Sequence, residues 1–458
     1  MKTTVIIGGG LGGLFAGAIL SREGFKVTVL EKNDTAGGGL QNFRRFGMKF
    51  DTGMHVIGGM RPGGNIYRIC ECLGIADKVH LRDVDDDCTD SLYFAEDQTT
   101  YHIKKGKEGF VSSLAEHFPE ERANLEAYVD AVHRLTDEVD LFYLRPSNDF
   151  FPVHSEEFNL AADAFIAKYI QNPKLRNVVA YMNPLYGGMA DATPAYVHAI
   201  VSVLYMQGAS RFVGGSDHFA QLLVSVIESA GGEVRCNEGA EWVEVNNRHV
   251  DYVRSTKGNE YRADHYISAI HPCTLLPLLS EKAFPKAYRT RLNDIPNAYS
   301  AFSVYVKFKP ETFPYINHSE YYMTRYDKVW HFGEHHDTWP LGFLFMTPPE
   351  DNQGKYADKA LITAPMIFEE VEKWAQTTVG RRGKDYELWK KEQAQRLLER
   401  IEEIHPGFNA CVDKVNTASP LTIRDYYGAK DGTMCGFSKD YKNTVLSQLP
   451  VVTKVDNL

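Results

Sequence analysis

The sequence predicts an α/β protein in which a parallel sheet is interleaved with a second, mixed α+β domain. Thr4–Ile7 and Lys26–Leu30 are short apolar runs rich in β-branched residues, as expected for parallel strands that are covered on both faces. The small apolar residues of Leu14–Leu20 lie between them and predict a helix, which completes a βαβ unit. The β pattern then returns at 211–279, after a long stretch of mainly helical pattern at 67–206, so we expect discontinuous domains.

The length of 458 residues allows about two domains. We expect the first domain to comprise residues 1–75, 210–280 and 415–458, and the second to comprise residues 76–209 and 281–414. In the second domain, Ser300–Lys309 and Ala360–Ala364 read as strands, the latter closed by Pro365. Asp385–Ile404 reads as an amphipathic helix whose apolar side carries Leu388, Leu397, Leu398, Ile401 and Ile404.

The formal net charge of −10 argues against nucleic acid as a partner, because nucleic-acid binding needs a basic face. The uncharged stretch between Asp191 and Arg211 contains Pro194 and His198, so it predicts a buried helix rather than a membrane span. No secretory leader pattern follows Met1. We therefore expect a cytoplasmic protein, and membrane association would be peripheral only.

The segment Gly8-Gly9-Gly10-Leu11-Gly12-Gly13 follows the first predicted strand and fits the pattern G-x-G-x-x-G. Gly8 permits a tight turn, Gly10 lets the backbone approach a pyrophosphate, and Gly13 allows close packing of helix and strand. Leu11 and Gly12 begin the helix whose N–H groups would face the phosphates. Glu31 ends the second strand, where a carboxylate binds ribose hydroxyls and disfavours a 2′-phosphate. The sequence thus predicts a Rossmann-like fold that binds FAD or NAD.

Two further segments make a resemblance specific, namely Ala36-Gly37-Gly38-Gly39 and Phe50-Asp51-Thr52-Gly53-Met54-His55. With them the chain resembles the retinol saturase, carotenoid isomerase and phytoene desaturase branch of the amine oxidase–GDP-dissociation inhibitor superfamily. The resemblance extends to Gly214-Gly215-Ser216, to Ile267-Ser268-Ala269 and to the segment from Ser419 to Tyr426. It implies an FAD-binding domain of the glutathione reductase 2 (GR2) type and a flavin-dependent oxidoreductase.

The resemblance also implies roles for individual residues. Gly8, Gly10 and Gly13 would meet the pyrophosphate, Glu31 and its neighbour Lys32 would lie at the adenosine ribose, and Gly38 and Gly39 would follow the phosphates. Trp242 or Val243 would offer backbone contacts to the adenine, and Ser268 would fall near the edge of the sheet. Many relatives carry Arg or Lys after the paired glycines, whereas Gly39 and Leu40 follow here. In the family a final strand, a Gly-rich turn and a flavin-contacting helix begin near Val455–Leu458, so we expect that segment beyond Leu458.

The implied substrate is a lipophilic polyene, with hydride passing between flavin N5 and an alkene carbon. Candidate lining residues are Ala195–Met206, Phe142–Leu144 and the pair at 150–151. His55 follows the turn that approaches the flavin and is a candidate for proton transfer, although we slightly favour a structural hydrogen bond as the explanation. Tyr186 beside Gly187-Gly188 is a second candidate, and Asp51 is expected to orient backbone.

Two other functions stay open, a flavin amine oxidase and a non-catalytic lipid-binding protein of the GDP-dissociation inhibitor type. The intact glycines and Glu31 favour the enzyme. No second dinucleotide motif is visible, so the electron donor or acceptor is not determined. His331-Phe332-Gly333-Glu334-His335 matches a zinc-protease pattern, but Gly333 opposes the helix that such a site needs, and we predict no metal.

Overall fold

A computed structural model describes residues 1–146, 153–443 and 449–458. Its strands are β1 (Thr3–Ile7), β2 (Lys26–Leu30), β3 (Asn42–Arg45), β4 (Met48–Asp51), β5 (Val56–Gly58), β6 (Leu81–Asp83), β7 (Asp90–Phe94), β8 (Thr99–Ile103), β9 (Ala209–Phe212), β10 (Glu233–Arg235), β11 (Ala240–Asn246), β12 (His249–Ser255), β13 (Glu260–Tyr261), β14 (His265–Ser268), β15 (Ser300–Phe308), β16 (Ser319–Met323), β17 (Gly342–Met346), β18 (Lys359–Met366) and β19 (Val412–Ala418).

The α-helices are α1 (Leu11–Arg22), α2 (Asn65–Leu73), α3 (Gly106–Ala115), α4 (Arg122–Asp137), α5 (Ala162–Tyr169), α6 (Pro173–Val178), α7 (Ala195–Met206), α8 (Asp217–Ser229), α9 (Pro272–Leu275), α10 (Lys286–Asp294), α11 (Lys384–Ile404), α12 (Phe408–Cys411) and α13 (Pro420–Tyr427). Within the described ranges, none of these helices combines the length and the apolar character that crossing a bilayer requires.

The N-terminal βαβ unit forms as the sequence predicts. β1 lies inside a four-stranded sheet of order β10-β2-β1-β14, and its neighbours β2 and β14 both run parallel to it. The side chains of Ile6, Val27 and Val29 are fully buried, because helices α1 and α8 pack together over the sheet. The α/β fold class with a parallel sheet is therefore confirmed.

A seven-stranded mixed sheet of order β19-β15-β18-β17-β16-β7-β8 forms the second large layer. One face of it packs against α11, where Leu397 and Ile401 join Phe302 and Val304 in a fully buried cluster. Because side chains alternate along a strand, Ser303 and Tyr305 of β15 point to the opposite face. That opposite face is the floor of the candidate site.

The structure corrects several details of the sequence prediction. The stretch 67–206 is not purely helical, since it contains β6, β7 and β8, and β7 pairs in parallel with the distant β16. β18 continues through Pro365 to Met366, because Ala301 of β15 still pairs with Pro365. Leu388 of α11 is 58% exposed and does not belong to the apolar side of that helix.

Other predicted elements have the expected places. The segment predicted at Ala195–Met206 is helix α7, and Ser216 precedes α8 as the last residue before the helix. β19 ends at Ala418 within the seven-stranded sheet, three residues past the domain boundary that we expect at residue 415. Near the other end of the parallel sheet, the Asn457 carbonyl accepts a hydrogen bond of 2.7 Å from the Tyr266 N–H of β14.

Candidate functional site

The first glycine-rich turn connects β1 directly to α1. Gly8 has a φ of 105°, a left-handed backbone conformation that residues other than glycine rarely adopt. A Cβ atom on Gly13 would lie only 2.1 Å from the Gly8 carbonyl oxygen. Gly8 and Gly13 therefore allow the helix to approach the strand as closely as the sequence motif predicts.

The N-terminus of α1 carries no side chain that would compete with an anion. Gly10 is the N-cap in an extended conformation, it makes no side-chain cap, and the first turn holds no acidic residue. A Cβ on Gly10 would meet its nearest atom, the Gly38 Cα, at 4.0 Å, and a Cβ on Gly12 would meet nothing within 4 Å. The N–H groups of Leu11, Gly12 and Gly13 are thus available to a phosphate group.

The second glycine-rich segment docks on the first. The Gly37 N–H donates a 2.7 Å hydrogen bond to the Gly9 carbonyl. A Cβ on Gly38 would lie 3.0 Å from the Gly10 Cα, so the two backbones meet without side chains between them. Gly39 continues toward the other loop, since its carbonyl accepts a 2.8 Å bond from the Met54 N–H. The predicted phosphate-contacting residues are therefore brought together around one point.

Glu31 lies at the end of β2 and is 6% exposed. Its Oε2 accepts a 2.8 Å bond from the Gly9 N–H, and its Oε1 accepts a 2.8 Å bond from the Asn33 N–H. A carboxylate offers about four acceptor positions, so capacity is left for ribose hydroxyls. Lys32 is directed elsewhere, because its Nζ donates a 2.8 Å bond to the Asp425 carbonyl in α13.

The backbone that runs beside Glu31 is not the segment that the sequence analysis singled out for the adenine. The Glu238 N–H donates a 2.8 Å bond to the Glu31 carbonyl, and a Cβ on Gly239 would lie 2.9 Å from the Lys32 Cβ. Val243 is fully buried in a core cluster, and the Trp242 indole donates to the Glu244 carboxylate at 2.7 Å. Glu238 therefore lies beside the main chain of Glu31, and the adenine contact expected from the backbone of Trp242 or Val243 stays a prediction.

Ser268 ends β14, the edge strand of the parallel sheet, directly beside Ile7 of β1. Its Oγ is buried and has no hydrogen-bond partner among the described residues. The next residue, Ala269, contacts the glycine turn, since its Cβ would lie 3.2 Å from a Cβ on Gly13. The uncapped helix terminus, the side-chain-free loops and this orphaned hydroxyl together fit a dinucleotide at this edge of the sheet.

A cavity of about 1150 Å³ begins where the second glycine segment ends. Gly39 and Thr52–His55 line it on the side of the parallel sheet. Its floor is the free face of the seven-stranded sheet, which contributes Ser303, Tyr305, Thr363, Leu344, Met346, Tyr321, Met323, Ser319 and Asp90. Tyr427 of α13 stands at the junction, with its hydroxyl 2.0 Å from the position of a Cβ on Gly53. The cavity is larger than the roughly 300–1,000 Å³ of typical small-molecule sites.

His55 lines this cavity, as the sequence analysis expects of a catalytic candidate. Its Nδ1 lies 4.0 Å from Oδ2 of the buried Asp51. Asp51 Oδ1 accepts bonds of 2.8 and 3.0 Å from the N–H and hydroxyl of Ser216, so this carboxylate also orients backbone. Burial alone would raise the pKa of Asp51, but His55, the Ser216 N–H and Lys359 hold that pKa below its usual value.

Tyr186 is not brought to the cavity. Its hydroxyl lies 2.9 Å from His198 Nδ1, and the Tyr128 hydroxyl lies 2.6 Å from His198 Nε2. All three side chains are buried, and none of them lines the cavity, whereas the neighbouring Pro184 and Leu185 do. The structure therefore gives Tyr186 a partner in the core and no contact with the candidate reaction space.

The buried His198 makes the stability of the fold sensitive to acid. Burial lowers the pKa of His198 to about 4 from its ordinary 6.5, so the imidazole is neutral in the folded state. Its contribution to stability is complete above pH 6.5 and is lost as the pH falls through 4. Between pH 7 and pH 4.5 we expect a loss of roughly 2 kcal/mol from this group, measured as the free energy of unfolding in urea.

The His198→Gln variant isolates that contribution. It should be less stable than the parent at pH 7, but its free energy of unfolding should fall by roughly 2 kcal/mol less on acidification. The same change at the exposed His265 serves as the control and should leave the pH dependence unchanged. Equal pH dependence in parent and His198→Gln would show that His198 does not titrate as proposed.

The remaining candidate residues have mixed outcomes. Helix α7 contributes Tyr205 to the cavity wall, while its other side chains pack mainly in the core. Phe142 is buried in that core, and Phe150 and Phe151 lie outside the described residues. His331 and His335 do not converge, since their Nδ1 atoms contact different carboxylates, Glu334 at 2.7 Å and Glu370 at 2.8 Å.

Comparison with known proteins agrees with this geometry. Residues 11–419 match the model of the family described as flavin containing amine oxidoreductase. An all-trans-retinol 13,14-reductase of Rattus norvegicus is 25% identical over 500 residues, which cover 99% of this chain and 81% of that protein. A chloroplastic prolycopene isomerase of Arabidopsis thaliana is 24% identical over 477 residues, covering 99% and 77%.

Among solved structures, an oxidoreductase from Methanosarcina mazei superposes with a TM-score of 0.62 at 17% sequence identity, covering 97% of this chain and 98% of that one. At this identity the likeness concerns the fold. The family model spans most of the chain, so the protein belongs to the flavin-containing amine oxidoreductase family. It is an FAD-dependent oxidoreductase, and the glycine loops and Glu31 are the residues here that fit FAD.

Proposed function

We propose that this enzyme acts on a carbon–carbon double bond of a lipophilic polyene, in a saturation, desaturation or isomerisation. The observation that carries this proposal is the shape and lining of the cavity. In its floor, Tyr305 pairs in register with Leu361 of β18, and Leu361 pairs with Met346 of β17. Beyond Met346, β16 and β7 add Ser319 and Asp90, which are paired with each other.

The length of this floor suits an extended molecule. Four steps between neighbouring strands, at about 4.8 Å each, place Asp90 about 19 Å from Tyr305. The middle of the floor is formed by Leu344, Met346 and Met323, which are apolar. A long apolar trough that starts beside the cofactor loops favours a linear, lipophilic substrate over a small polar one. The names of the two relatives, a retinol reductase and a prolycopene isomerase, support the same substrate class.

The chain supplies orientation and a proton route around the reaction. When bound, FAD supplies hydride exchange at N5. The residues of the cavity floor would hold the polyene against the flavin ring and exclude water from it. His55 is a titratable side chain at the start of the cavity, where its Nδ1 faces Asp51 and its Nε2 has no hydrogen-bond partner among the described residues. We propose that Nε2 gives a proton to, or takes it from, the carbon next to the one that exchanges hydride.

The test is a pair of anaerobic half-reactions on the full chain loaded with FAD. Reduced enzyme is mixed with all-trans-retinol or prolycopene, and oxidised enzyme is mixed with putrescine. The proposal expects the polyene either to reoxidise the reduced flavin as it is saturated or to be isomerised while the flavin stays reduced; in a desaturation, the oxidised flavin would instead be bleached by the polyene. The product is identified by chromatography, and the amine is expected to cause no bleaching of the oxidised flavin. Bleaching by putrescine alone would establish an amine oxidase instead. Retention of polyene by protein that takes up no FAD would favour the lipid-binding alternative.

A further inference from the structure

A group of polar side chains lies at the end of the cavity floor farthest from Tyr305. It consists of Asp90, Ser319, Tyr321 and Tyr205, all of which line the cavity. Asp90 and Ser319 are paired residues of the adjacent parallel strands β7 and β16, so their side chains leave the sheet side by side on the same face. The cavity thus changes from apolar to polar along its length.

Hydrogen bonds within the protein satisfy these polar groups only in part. Asp90 Oδ2 accepts bonds of 3.0 Å from the Tyr181 hydroxyl and 3.1 Å from the Thr89 hydroxyl. Among the described residues, none bonds Asp90 Oδ1 or the hydroxyls of Ser319, Tyr321 and Tyr205. Side-chain polar groups in interiors almost always have partners, so this concentration of free capacity around one point indicates a ligand group.

The charges near Asp90 limit which kind of ligand group can bind there. The guanidinium of Arg211 is 1% exposed and donates to the carbonyls of Ile316 at 2.9 Å and Thr347 at 3.0 Å. No carboxylate among the residues that the structure describes forms a salt bridge with it. Burial raises the pKa of Asp90 to about 6, although the bonds from Tyr181 and Thr89 and the charges of His318 and Arg211 act to lower it. Burial acts to lower the pKa of His318, but Cys88 and Glu320 raise it to about 9, and its Nε2 lies 3.5 Å from the Glu320 carboxylate. Because His318 is paired with Glu320, the Asp90 carboxylate and the Arg211 guanidinium offset each other at neutral pH.

A neutral hydroxyl fits this environment better than an ion does. An ammonium group would approach Asp90 but would meet the field of Arg211, and a carboxylate would be repelled by Asp90 itself. A hydroxyl can donate to Asp90 Oδ1 and accept from a tyrosine or serine hydroxyl, which satisfies both sides at once. The apolar floor holds the rest of such a molecule.

We propose that Asp90, assisted by Ser319 and Tyr321, binds a terminal hydroxyl of the substrate and so selects hydroxylated polyenes over hydrocarbons. This inference rests on the proposed function, because it places the polyene along the cavity floor. Asp90 is then a specificity-determining residue that lies away from the reacting atoms and fixes how far the chain slides toward His55.

The test compares two ligands that differ in one group, all-trans-retinol and the hydrocarbon in which hydrogen replaces its hydroxyl. Dissociation constants are measured by fluorescence titration of the FAD-loaded protein, and kcat/KM is measured with the same pair. In the parent, retinol should bind more tightly than the hydrocarbon. In Asp90→Asn, retinol binding should weaken by roughly 10- to 100-fold while hydrocarbon binding stays unchanged. Tyr321→Phe should weaken retinol binding in the same direction by a smaller factor.

The matched control is Asp97→Asn, because Asp97 also accepts a bond from a tyrosine hydroxyl, that of Tyr326 at 3.1 Å, but does not line the cavity. It should leave the retinol-to-hydrocarbon ratio unchanged. Two results would overturn the proposed role of Asp90 while the polyene reaction stands: binding of both ligands weakened equally in Asp90→Asn, or a parent protein that binds retinol and the hydrocarbon equally tightly. Tighter binding of retinol than of the hydrocarbon, without turnover of either, would overturn the proposed reaction and leave the proposed role of Asp90. Failure of the FAD-loaded parent to bind either ligand would overturn both.

Discussion

The Gly10→Ala variant is expected to fold normally and to bind FAD roughly 10- to 100-fold more weakly than the parent. Gly10 has φ −74° and ψ 178°, which alanine adopts without strain. The nearest atom to its added Cβ would be 4.0 Å away, so the protein itself has room. The methyl group would instead stand where the pyrophosphate must approach the helix terminus. Equilibrium titration with FAD, followed by visible absorbance, measures the effect.

Two glycine variants bracket this result. Gly354→Ala, at a position where a Cβ meets nothing within 4 Å, should retain both fold and FAD affinity. Gly13→Ala should destabilise the fold itself, because its Cβ would collide with the Gly8 carbonyl. Parent-like FAD affinity in Gly10→Ala would show that the pyrophosphate does not lie at this turn. A fall in the thermal midpoint of Gly10→Ala as large as that of Gly13→Ala would likewise contradict the assignment.

The second large effect is expected from Leu344→Trp. Leu344 lies in β17 at the middle of the cavity floor, between Thr363 of β18 and Tyr321 of β16. An indole there would project into the space that an extended polyene must occupy, and a stiff conjugated chain cannot bend around it. Because a displacement of about 1 Å can cost about 100-fold in rate, we expect kcat/KM for the polyene to fall by roughly 100-fold or more.

The same substitution at Leu388 provides the control, since that side chain is 58% exposed on α11 and lies outside the cavity. Leu388→Trp should keep full activity. Leu344→Trp should still bind FAD with parent-like affinity, because the cofactor loops are at the other end of the floor. Unchanged turnover in Leu344→Trp would place the substrate elsewhere, and loss of FAD would mean that Leu344 supports the cofactor rather than the polyene.

The cofactor half of the site could be predicted because its determinants are local in the chain. Gly8, Gly13 and Glu31 fall within one βαβ unit, where the spacing of a strand, a turn and a helix fixes their relative positions. The structure confirms the strands and the helix of that unit. The placement of Glu238 beside the main chain of Glu31 could not be predicted in the same way, since more than 200 residues separate the two in the sequence.

The substrate half depended on pairing between segments far apart in sequence. β7 was hidden in a stretch that reads as helical, because β7 and its hairpin partner β8 have only five residues each and carry little periodic signal. Its parallel pairing with β16 is what sets Asp90 beside Ser319. For Tyr186 a local signal was misleading. This residue lies beside a glycine pair typical of an active-site turn, yet its hydroxyl forms a hydrogen bond with His198 in the core.

By itself, the sequence determined the α/β class, the first βαβ unit, the dinucleotide turn with its ribose carboxylate and, through resemblance, the flavin. Apart from the flavin, these features follow from steric and hydrogen-bonding rules that act over a few residues. The tertiary structure alone decided which strands became neighbours, which face of the seven-stranded sheet was left for the cavity, and that Asp90 closes one end of it. Those outcomes depend on register between strands such as β7 and β16, which the burial of the whole core selects and which no short window of sequence contains.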